Sequence, residues 1–401
     1  MLILFALYSI DRTYLLVRVL PKTQRQHSFV SALHQEQFFD LSVIDFPQNT
    51  SHLIDVILCH RDKGPFIQFL DEREGGIPYD VQSLTYDRNV LKVILRSLMK
   101  KFEWTNDQFE FGDYNSYRSI IEKLHTDVDN NPGIASTFVL GKTNGDTRIY
   151  GIKVGKPRTF EKRVIWIDGG MHAQEWAAVH AVMYYIEELL SDYGSELDVT
   201  HFIDSVDFYI VPIVNPDGYE YTRSSIDRRL WSKNLGPSIC NKEGKCCQGV
   251  DLNRNFDSFW GMSGTSADPC DDTYRGAEPF SEPESRAIRD KIFSPLLTGK
   301  VDAFITVHSF AQMIAYPYNH NYFSRPKDVL DLDKVGKKAA EAIEKVNGRK
   351  YQVGTAAEVR KYPSSGGSQD WAKLKADVKY SYCYYTYDFS PTKKMKTNTL
   401  K

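Results

Sequence analysis

Residues 164–178 have the sequence VIWIDGGMHAQEWAA, and this stretch decides the fold. The β-branched and apolar run at 164–168 predicts a buried strand. The glycines at 169–170 break the strand, and the pattern over 176–190 predicts a long helix. Further strands and helices alternate on both sides of this unit, which predicts a layered α/β domain.

His172 and Glu175 are three residues apart at the predicted helix start. At this spacing both side chains project from one helical face and can reach one ion. Imidazole nitrogen and carboxylate oxygen are ordinary zinc ligands, and a catalytic zinc takes three protein ligands and a water. The alternative is a solvated helix end, because the chain has 10 histidines and one chance pair is unsurprising. A third ligand is therefore needed.

His308 follows the apolar strand predicted at 301–307. Ligand groups gather at the carboxyl ends of strands in open α/β sheets. Taken alone, His308 is better explained as a satisfied core histidine. Together with His172 and Glu175 it favours a site for one Zn²⁺ with these three ligands.

Composition excludes other classes of function. The 401 residues include 50 basic and 52 acidic side chains, for a net charge of −2. A general nucleic-acid binder would normally show a basic excess or patch. The sequence has no apolar run of the roughly 18 residues that a membrane-spanning helix requires. We therefore expect a globular protein that contacts neither nucleic acid nor membrane.

Four of the six cysteines lie within 240–270, in a loop-like stretch. Two disulfides among them are favoured over a metal site, and they indicate an oxidising compartment. Their connectivity does not follow from sequence. The glycosylation sequon at 49–51 agrees with secretion. The apolar segment 1–12 is interpreted as a weak or truncated secretory signal, or equally as an ordinary first strand or helix.

The order of predicted elements divides the chain. Residues 13–85 show a β-α-β-β-α-β order, typical of a small split βαβ domain. Residues 86–103 predict a charged linker helix that a trypsin-like protease can cut, or simply a solvated helix. Residues 104–389 form the α/β domain, and the Lys/Thr-rich tail 390–401 is expected to be disordered. Helices are expected at 22–37, 114–126, 176–190, 282–295 and 331–347, with strands at 135–141, 148–154, 163–168, 206–214, 301–307 and 378–387.

Two further motifs suggest a substrate. Asn253 and Arg254 close the run at 249–255. A guanidinium binds a carboxylate bidentately, and an amide adds a donor. The Gly/Ser-rich loop at 362–370 can carry a mobile Tyr362. Each motif taken alone is more often just a turn.

Together, in this order, these motifs resemble the zinc metallocarboxypeptidases of the pancreatic A/B type. Nearly the whole chain is covered: 13–85 is similar to the activation pro-domain and 104–388 to the catalytic domain. The resemblance implies a central mixed β-sheet flanked by helices, preceded by a ferredoxin-like α+β pro-domain. It also implies that zinc-dependent hydrolysis removes C-terminal residues from peptides. The matching stretches are GGMHAQEW (169–176), NPDGYEYT (215–222), RLW (229–231), GVDLNRNFD (249–257), HSFAQ (308–312), YPYN (316–319) and YPSSGGSQDW (362–371).

The resemblance implies roles for single residues. Asp251 matches the carboxylate that orients a zinc-bound histidine. Asn253 and Arg254 match the clamp on the substrate's terminal carboxylate. Arg229 matches a further substrate-side arginine, and Tyr362 matches the tyrosine that closes over the bound residue.

Other matches concern disulfides, specificity and partners. Cys247 and Cys270 match the family's disulfide, which leaves Cys240–Cys246 as a candidate second bridge. Gln369 replaces a residue that is acidic for basic substrates and aliphatic for apolar ones, so neither preference follows. Expected partners are peptide or protein C-termini and an activating trypsin-like protease, and we expect a monomer. The pocket for the terminal side chain is expected to be lined by Ala315, Asn319, Ala357, Ser364 and Gln369.

Two positions depart from the family's pattern. Tyr385 lies where K-Y-S-x-x-x-E requires the glutamate base, and Ser232 lies where an arginine that stabilises the oxyanion should follow R-L-W. Tyrosine is a poor base near pH 7, because its ordinary pKa is about 10. No intact catalytic pair is therefore predicted, and we expect reduced or lost peptidase activity. The alternative is a non-catalytic, zinc-containing binder of peptide C-termini.

The domain is also expected to be C-terminally truncated, because the family continues through a further loop and helix after Asp388. A true non-catalytic homologue and an altered exon or reading frame are competing explanations.

Overall fold

The computed structural model describes residues 14–23, 25–26, 41–43, 54–59, 63–72, 76–84, 108–111, 114–225, 228–309, 311–360 and 362–386. The chain divides into two compact units, residues 1–105 and 106–401. In the described ranges, no helix is long and apolar enough to cross a membrane.

The first unit contains a four-stranded antiparallel sheet around an apolar core that includes Val17, Val56 and Phe66. The strand order is β2-β3-β1-β4. The predicted helix at 22–37 lies mostly outside the described residues, and segments 1–12, 86–103 and 390–401 lie wholly outside them, so their structures stay predictions. The elements are β1 (Tyr14–Val19), β2 (Leu41–Val43), β3 (Ile54–Cys59), α1 (Lys63–Glu72) and β4 (Tyr79–Leu84).

The second unit is built on an eight-stranded sheet in the order β13-β12-β14-β11-β7-β8-β6-β5. The central strands pair in parallel, whereas β5, β6 and the β12–β14 pair are antiparallel. This arrangement confirms the predicted central mixed sheet. The strands are β5 (Ala135–Lys142), β6 (Arg148–Val154), β7 (Arg163–Asp168), β8 (Val206–Val211), β11 (Val301–Ser309), β12 (Met313–Tyr316), β13 (Gln352–Thr355) and β14 (Tyr380–Thr386), with a separate ribbon of β9 (Ser238–Cys240) and β10 (Cys246–Gln248).

Helices flank the sheet, as predicted. The core between the layers includes Trp166 on β7 and Phe304 on β11, whose rings stack with centroids 6.3 Å apart. The helices are α2 (Tyr117–Asn130), α3 (Trp176–Ser191), α4 (Leu197–Ser205), α5 (Pro216–Ser224), α6 (Pro283–Ile292), α7 (Val329–Asn347), α8 (Ala356–Arg360) and α9 (Ser368–Leu374).

Two elements of the second unit differ from the prediction. Strand β8 ends at Val211 rather than at residue 214, because Pro212 has no N–H to donate to the sheet. Helix α5 was not predicted, although its start carries two ordinary signals. Asn215 caps it by accepting a hydrogen bond from the Gly218 N–H, and Pro216 occupies the first turn.

Candidate metal centre

His172 and Glu175 lie in the turn between β7 and α3, not on one face of the helix as predicted. Gly170 has a φ of 61°, a left-handed conformation that favours glycine. An added Cβ there would lie 2.8 Å from Val179 Cγ2. The turn closes through a 3.1 Å hydrogen bond from the Glu175 N–H to the His172 carbonyl, and the helix begins only at Trp176.

Strand β11 brings His308 to this turn. Its Nδ1 lies 2.8 Å from Glu175 Oε2 and 3.2 Å from His172 Nδ1, while His172 Nδ1 lies 3.0 Å from Glu175 Oε1. One ligand atom from each residue falls within 4.8 Å of the others. His308 is fully buried and Glu175 nearly so. The structure therefore places the three predicted ligands together.

The outer nitrogen of each imidazole has its own partner. His172 Nε2 lies 3.1 Å from Asp251 Oδ1. His308 Nε2 lies 3.3 Å from Thr306 Oγ1, and Thr306 donates its hydroxyl to Asp168 at 2.7 Å. A partner on the outer nitrogen fixes the tautomer and leaves the inner nitrogen as a bare acceptor.

These contacts shift the pKa values of the residues in and around the cluster. Burial by itself raises the pKa of Glu175, but the two imidazoles outweigh it and hold this pKa at about 2. Burial lowers the pKa of His308, yet the adjacent Glu175 carboxylate raises it well above the ordinary value. Burial raises the pKa of Asp168 to about 6, against hydrogen bonds from Thr306 and Trp166 that lower it. A proton on His308 and a metal ion therefore compete for the same inner nitrogen, beside a carboxylate that stays charged.

This donor set fits a zinc ion. Tetrahedral zinc with ligands at about 2.0–2.1 Å requires neighbouring ligand atoms about 3.3 Å apart. The separations of 2.8 to 3.2 Å among these atoms are close to that value. Two imidazole nitrogens that face each other beside a carboxylate require a cation between them, and that cation is either a proton or a metal ion.

Asn253 and Arg254 lie on a short 3-10 turn, Leu252–Arg254, beside the cluster. Asn253 Oδ1 accepts the Ser368 N–H at 3.0 Å, and its Nδ2 lies 3.5 Å from His308 Nε2. Arg254 donates to the Gly264 carbonyl at 2.9 Å and lies 3.7 Å from Asp251. Both side chains are buried, so their positions are fixed by the surrounding backbone.

Arg229 and Ser232 both form hydrogen bonds to Gln174, within the turn at 172–175. Arg229 donates to the Gln174 carbonyl at 2.8 Å, and its guanidinium lies 3.6 Å from the centroid of the Trp176 ring. Ser232 accepts a 3.3 Å hydrogen bond from Gln174 Nε2. The hydroxyl at position 232 therefore contacts the turn itself, next to Glu175.

Tyr385 lies beside His308, because β11 and β14 pair in parallel with these two residues opposite each other. Their rings stack with centroids 5.5 Å apart. The Tyr385 hydroxyl accepts a 3.0 Å hydrogen bond from Arg360 Nη1, and Arg360 Nη2 donates to the Tyr362 hydroxyl. Burial raises the pKa of Tyr385 above its ordinary value, despite the nearby Arg360 cation. Sequence reasoning missed Arg360, which belongs to no motif.

The predicted pocket residues are buried together with polar atoms that lack partners. Asn319 donates to Ser364 Oγ at 2.6 Å and its backbone N–H donates to Asp370 at 2.7 Å. Within the described residues, Asn319 Oδ1 and Gln369 Oε1 have no hydrogen-bond partner. Ala315 packs in one apolar cluster with Tyr385, and Ala357 is fully buried.

Two disulfides link the loop between β9 and residue 270. Cys247 is bonded to Cys270, and Cys240 is bonded to Cys246 across the β9–β10 ribbon. Cys247–Cys270 is the pair that the family resemblance implied, and Cys240–Cys246 is the candidate second bridge.

Comparisons with known proteins give one consistent family. The sequence profile of the family Peptidase_M14, zinc carboxypeptidase, matches residues 120–398. Carboxypeptidase A2 of Mus musculus is 32% identical over 92% of this chain and 84% of its own length. Carboxypeptidase B of Bos taurus is 37% identical over 78% of this chain and 70% of its own length. The crystal structure of thrombin activatable fibrinolysis inhibitor superposes with a TM-score of 0.67 at 27% identity and covers 95% of this chain and 92% of that one.

Proposed function

Since the chain belongs to the zinc carboxypeptidase family, we propose that it binds one Zn²⁺ through His172, Glu175 and His308 and receives peptide C-termini, with peptide hydrolysis reduced or lost. A zinc ion held there supplies Lewis acidity toward a peptide carbonyl. Asp251 and Thr306 orient the imidazoles of His172 and His308 by contacts to their Nε2 atoms. Arg254, with Asn253, would bind the terminal carboxylate of the peptide.

The proposal of weak hydrolysis rests on the protonation state of the Tyr385 phenol. A general base must lose its proton near the working pH. Tyr385 is buried, which raises the pKa of its phenol, and its oxygen already accepts a hydrogen bond from Arg360. It therefore stays protonated at neutral pH and takes no proton from a water. Ser232 supplies no guanidinium to stabilise a developing oxyanion.

A second candidate function is peptide binding without any hydrolysis. The fixed, buried positions of Asn253 and Arg254 favour it, because ground-state binding of a carboxylate requires neither a base nor an oxyanion donor. On this candidate the metal holds the site in shape and the bound peptide is released unchanged.

The remaining proposals concern the setting of the protein. Two disulfides support secretion, since such bonds persist in oxidising compartments. We propose that residues 13–85 act as a pro-domain and that a trypsin-like protease cuts within 86–103. A monomeric state is also proposed.

The test restores the two missing groups. The zinc-loaded protein, after limited tryptic digestion, is assayed on hippuryl-type substrates beside a Tyr385→Glu/Ser232→Arg variant. We expect kcat/KM to rise by about 10²–10⁴, the range that a general base or an oxyanion donor provides. Tyr385→Phe is the matched control, because it removes the hydroxyl without adding a base and should bring no gain.

Two results would count against the proposal. Turnover of the unchanged protein at the rate of bovine carboxypeptidase B, measured in parallel, would show that hydrolysis is not impaired. A double variant that binds zinc but gains nothing would show that neither Tyr385 nor Ser232 limits the reaction.

A further inference from the structure

Arg360, the last residue of α8, holds two tyrosines at the edge of the metal centre. Its Nη1 donates to the Tyr385 hydroxyl at 3.0 Å, and its Nη2 donates to the Tyr362 hydroxyl. The guanidinium also lies over both rings, 4.5 Å from the Tyr362 centroid and 5.6 Å from the Tyr385 centroid. Two residues that the sequence singled out are thus joined by a third that it did not.

This guanidinium has no counter-ion in the described part of the chain, where no carboxylate lies within 4.0 Å of it. The acidic side chain nearest in sequence, Glu358, is engaged elsewhere. It forms an ion pair with Arg325 and accepts the Thr355 hydroxyl at 3.0 Å. Arginine stays protonated at every pH a protein tolerates, so the charge of Arg360 is permanent.

Arg360 and the hydroxyls of Tyr385 and Tyr362 together offer several hydrogen-bond donors. A guanidinium has five N–H donors and no acceptor, and only two of these groups point at tyrosines. Each phenol accepts from Arg360 and keeps its own O–H to donate. Several donors around one positive charge that has no carboxylate partner among the described residues are the complement of a carboxylate.

The position of this group relates it to a bound peptide. The Tyr385 ring stacks on the His308 imidazole, and Asn253 Nδ2 lies 3.5 Å from Nε2 on the edge of the same ring. Asn253 of the carboxylate clamp and Tyr385 of the Arg360 group therefore contact the same side chain of the metal cluster. A peptide whose terminal carboxylate is bound at the clamp would therefore place its last residues at the metal cluster that Tyr385 contacts.

We infer that Arg360, with the hydroxyls of Tyr385 and Tyr362, forms a second anion subsite that binds a side-chain carboxylate in the last two residues of a peptide, an inference that rests on the proposed binding of peptide C-termini. The carboxylate comes from the terminal or from the penultimate residue. In either case the preferred ligand is an acidic peptide C-terminus.

Four N-acetylated tetrapeptides test this inference, ending in Ala-Glu, Ala-Gln, Glu-Ala and Gln-Ala. Their affinities for the zinc-loaded full chain are measured by titration calorimetry. We expect one glutamate peptide to bind about 10-fold tighter than its glutamine counterpart or more, the range of a hydrogen bond to a charged group. The peptide that shows the preference identifies which residue carries the carboxylate.

Arg360→Gln should remove this preference and leave the affinity for the glutamine peptides within about twofold. Arg289→Gln is the matched control, because Arg289 lies on α6 and pairs with Asp290, and it should change nothing. Equal binding of glutamate and glutamine peptides, or a preference that survives Arg360→Gln, overturns the anion subsite but leaves the proposed binding of peptide C-termini standing. If none of the four peptides binds while zinc still does, the proposed binding of C-termini fails with it.

Discussion

Two sides of the metal centre differ in how their polar groups are satisfied. The ligand side consists of His172, Glu175 and His308, whose outer contacts are made by Asp251 and Thr306, and its inner atoms converge on one point. The facing side consists of Tyr385, Ser232 and Arg360. On this side the functional groups themselves are used in internal hydrogen bonds. Arg360 donates to the Tyr385 hydroxyl, and Gln174 donates to the Ser232 hydroxyl.

The difference shows that holding a metal and using it are separate properties of this fold. The ligand side depends on strand register and on a glycine turn, both of which belong to the core of the sheet. The facing side depends on single side chains that approach from β14, from α8 and from the loop before β9. Substitutions on the facing side therefore change chemistry without disturbing the ligands.

The largest effect should come from removing a ligand. His308→Ala should lower zinc affinity by more than about 100-fold, because an outer partner alone is worth about 10–100-fold. Tyr385→Phe keeps the ring against His308 and should leave zinc affinity unchanged. Competition with a chromophoric chelator measures both. An equal loss in the two variants would mean that the two sides cannot be separated.

A smaller effect is expected for the outer partner of His172. Asp251→Asn keeps the shape but removes the charge beside His172 Nε2, so zinc affinity should fall about 10–100-fold. Asp257→Asn serves as the control, since Asp257 is half exposed and pairs with Lys375. The same chelator competition applies, and unchanged zinc affinity in Asp251→Asn would show that the ligand side does not extend to its outer contacts.

The smallest effect involves Glu284, which lies outside both sides of the site and separates fold stability from metal binding. Burial raises its pKa from 4.5 to about 7, against a hydrogen bond from Asn234. The folded state then keeps a proton that the unfolded state releases, so the free energy of unfolding falls as pH rises from 4.5 to about 7. The fall is a few kcal/mol at most, since one pKa unit is worth about 1.4 kcal/mol.

Glu284→Gln should flatten this fall, as measured by urea unfolding at intervals across that pH range. Glu122 on α2 is exposed, so Glu122→Gln is the control and should show the same fall in the free energy of unfolding as the unchanged protein. A change in zinc affinity in Glu284→Gln would connect the region of Glu284 to the ligand side and weaken the comparison.

Much of the ligand side could be predicted from the sequence. His172 and Glu175 lie three residues apart after a glycine pair, and His308 ends an apolar strand. The contacts behind His308 could not be predicted, because Asp168 meets Thr306 only through the register between β7 and β11. One signal was present: Thr306 and His308 are two apart on one strand and so share a face.

The facing side was predicted only as two departures from a pattern. Tyr385 and Ser232 were identified by position, but nothing in the sequence relates residue 360 to residue 385. That contact depends on α8 packing against β12 and β13, beside β14 in the sheet, and it is a property of the packed structure.

The contact between Arg360 and Tyr385 has an evolutionary consequence. A glutamate at position 385 would be shorter than the tyrosine but would still lie near Arg360, whose guanidinium is 5.6 Å from the Tyr385 ring centroid, and a nearby cation lowers the pKa of a carboxyl group. The regained acid would thus be a weaker base than the same residue beside a neutral neighbour. The effect of a substitution at position 385 thus depends on the residue at position 360, and Tyr385→Glu should restore more activity when Arg360 is also replaced by a neutral residue.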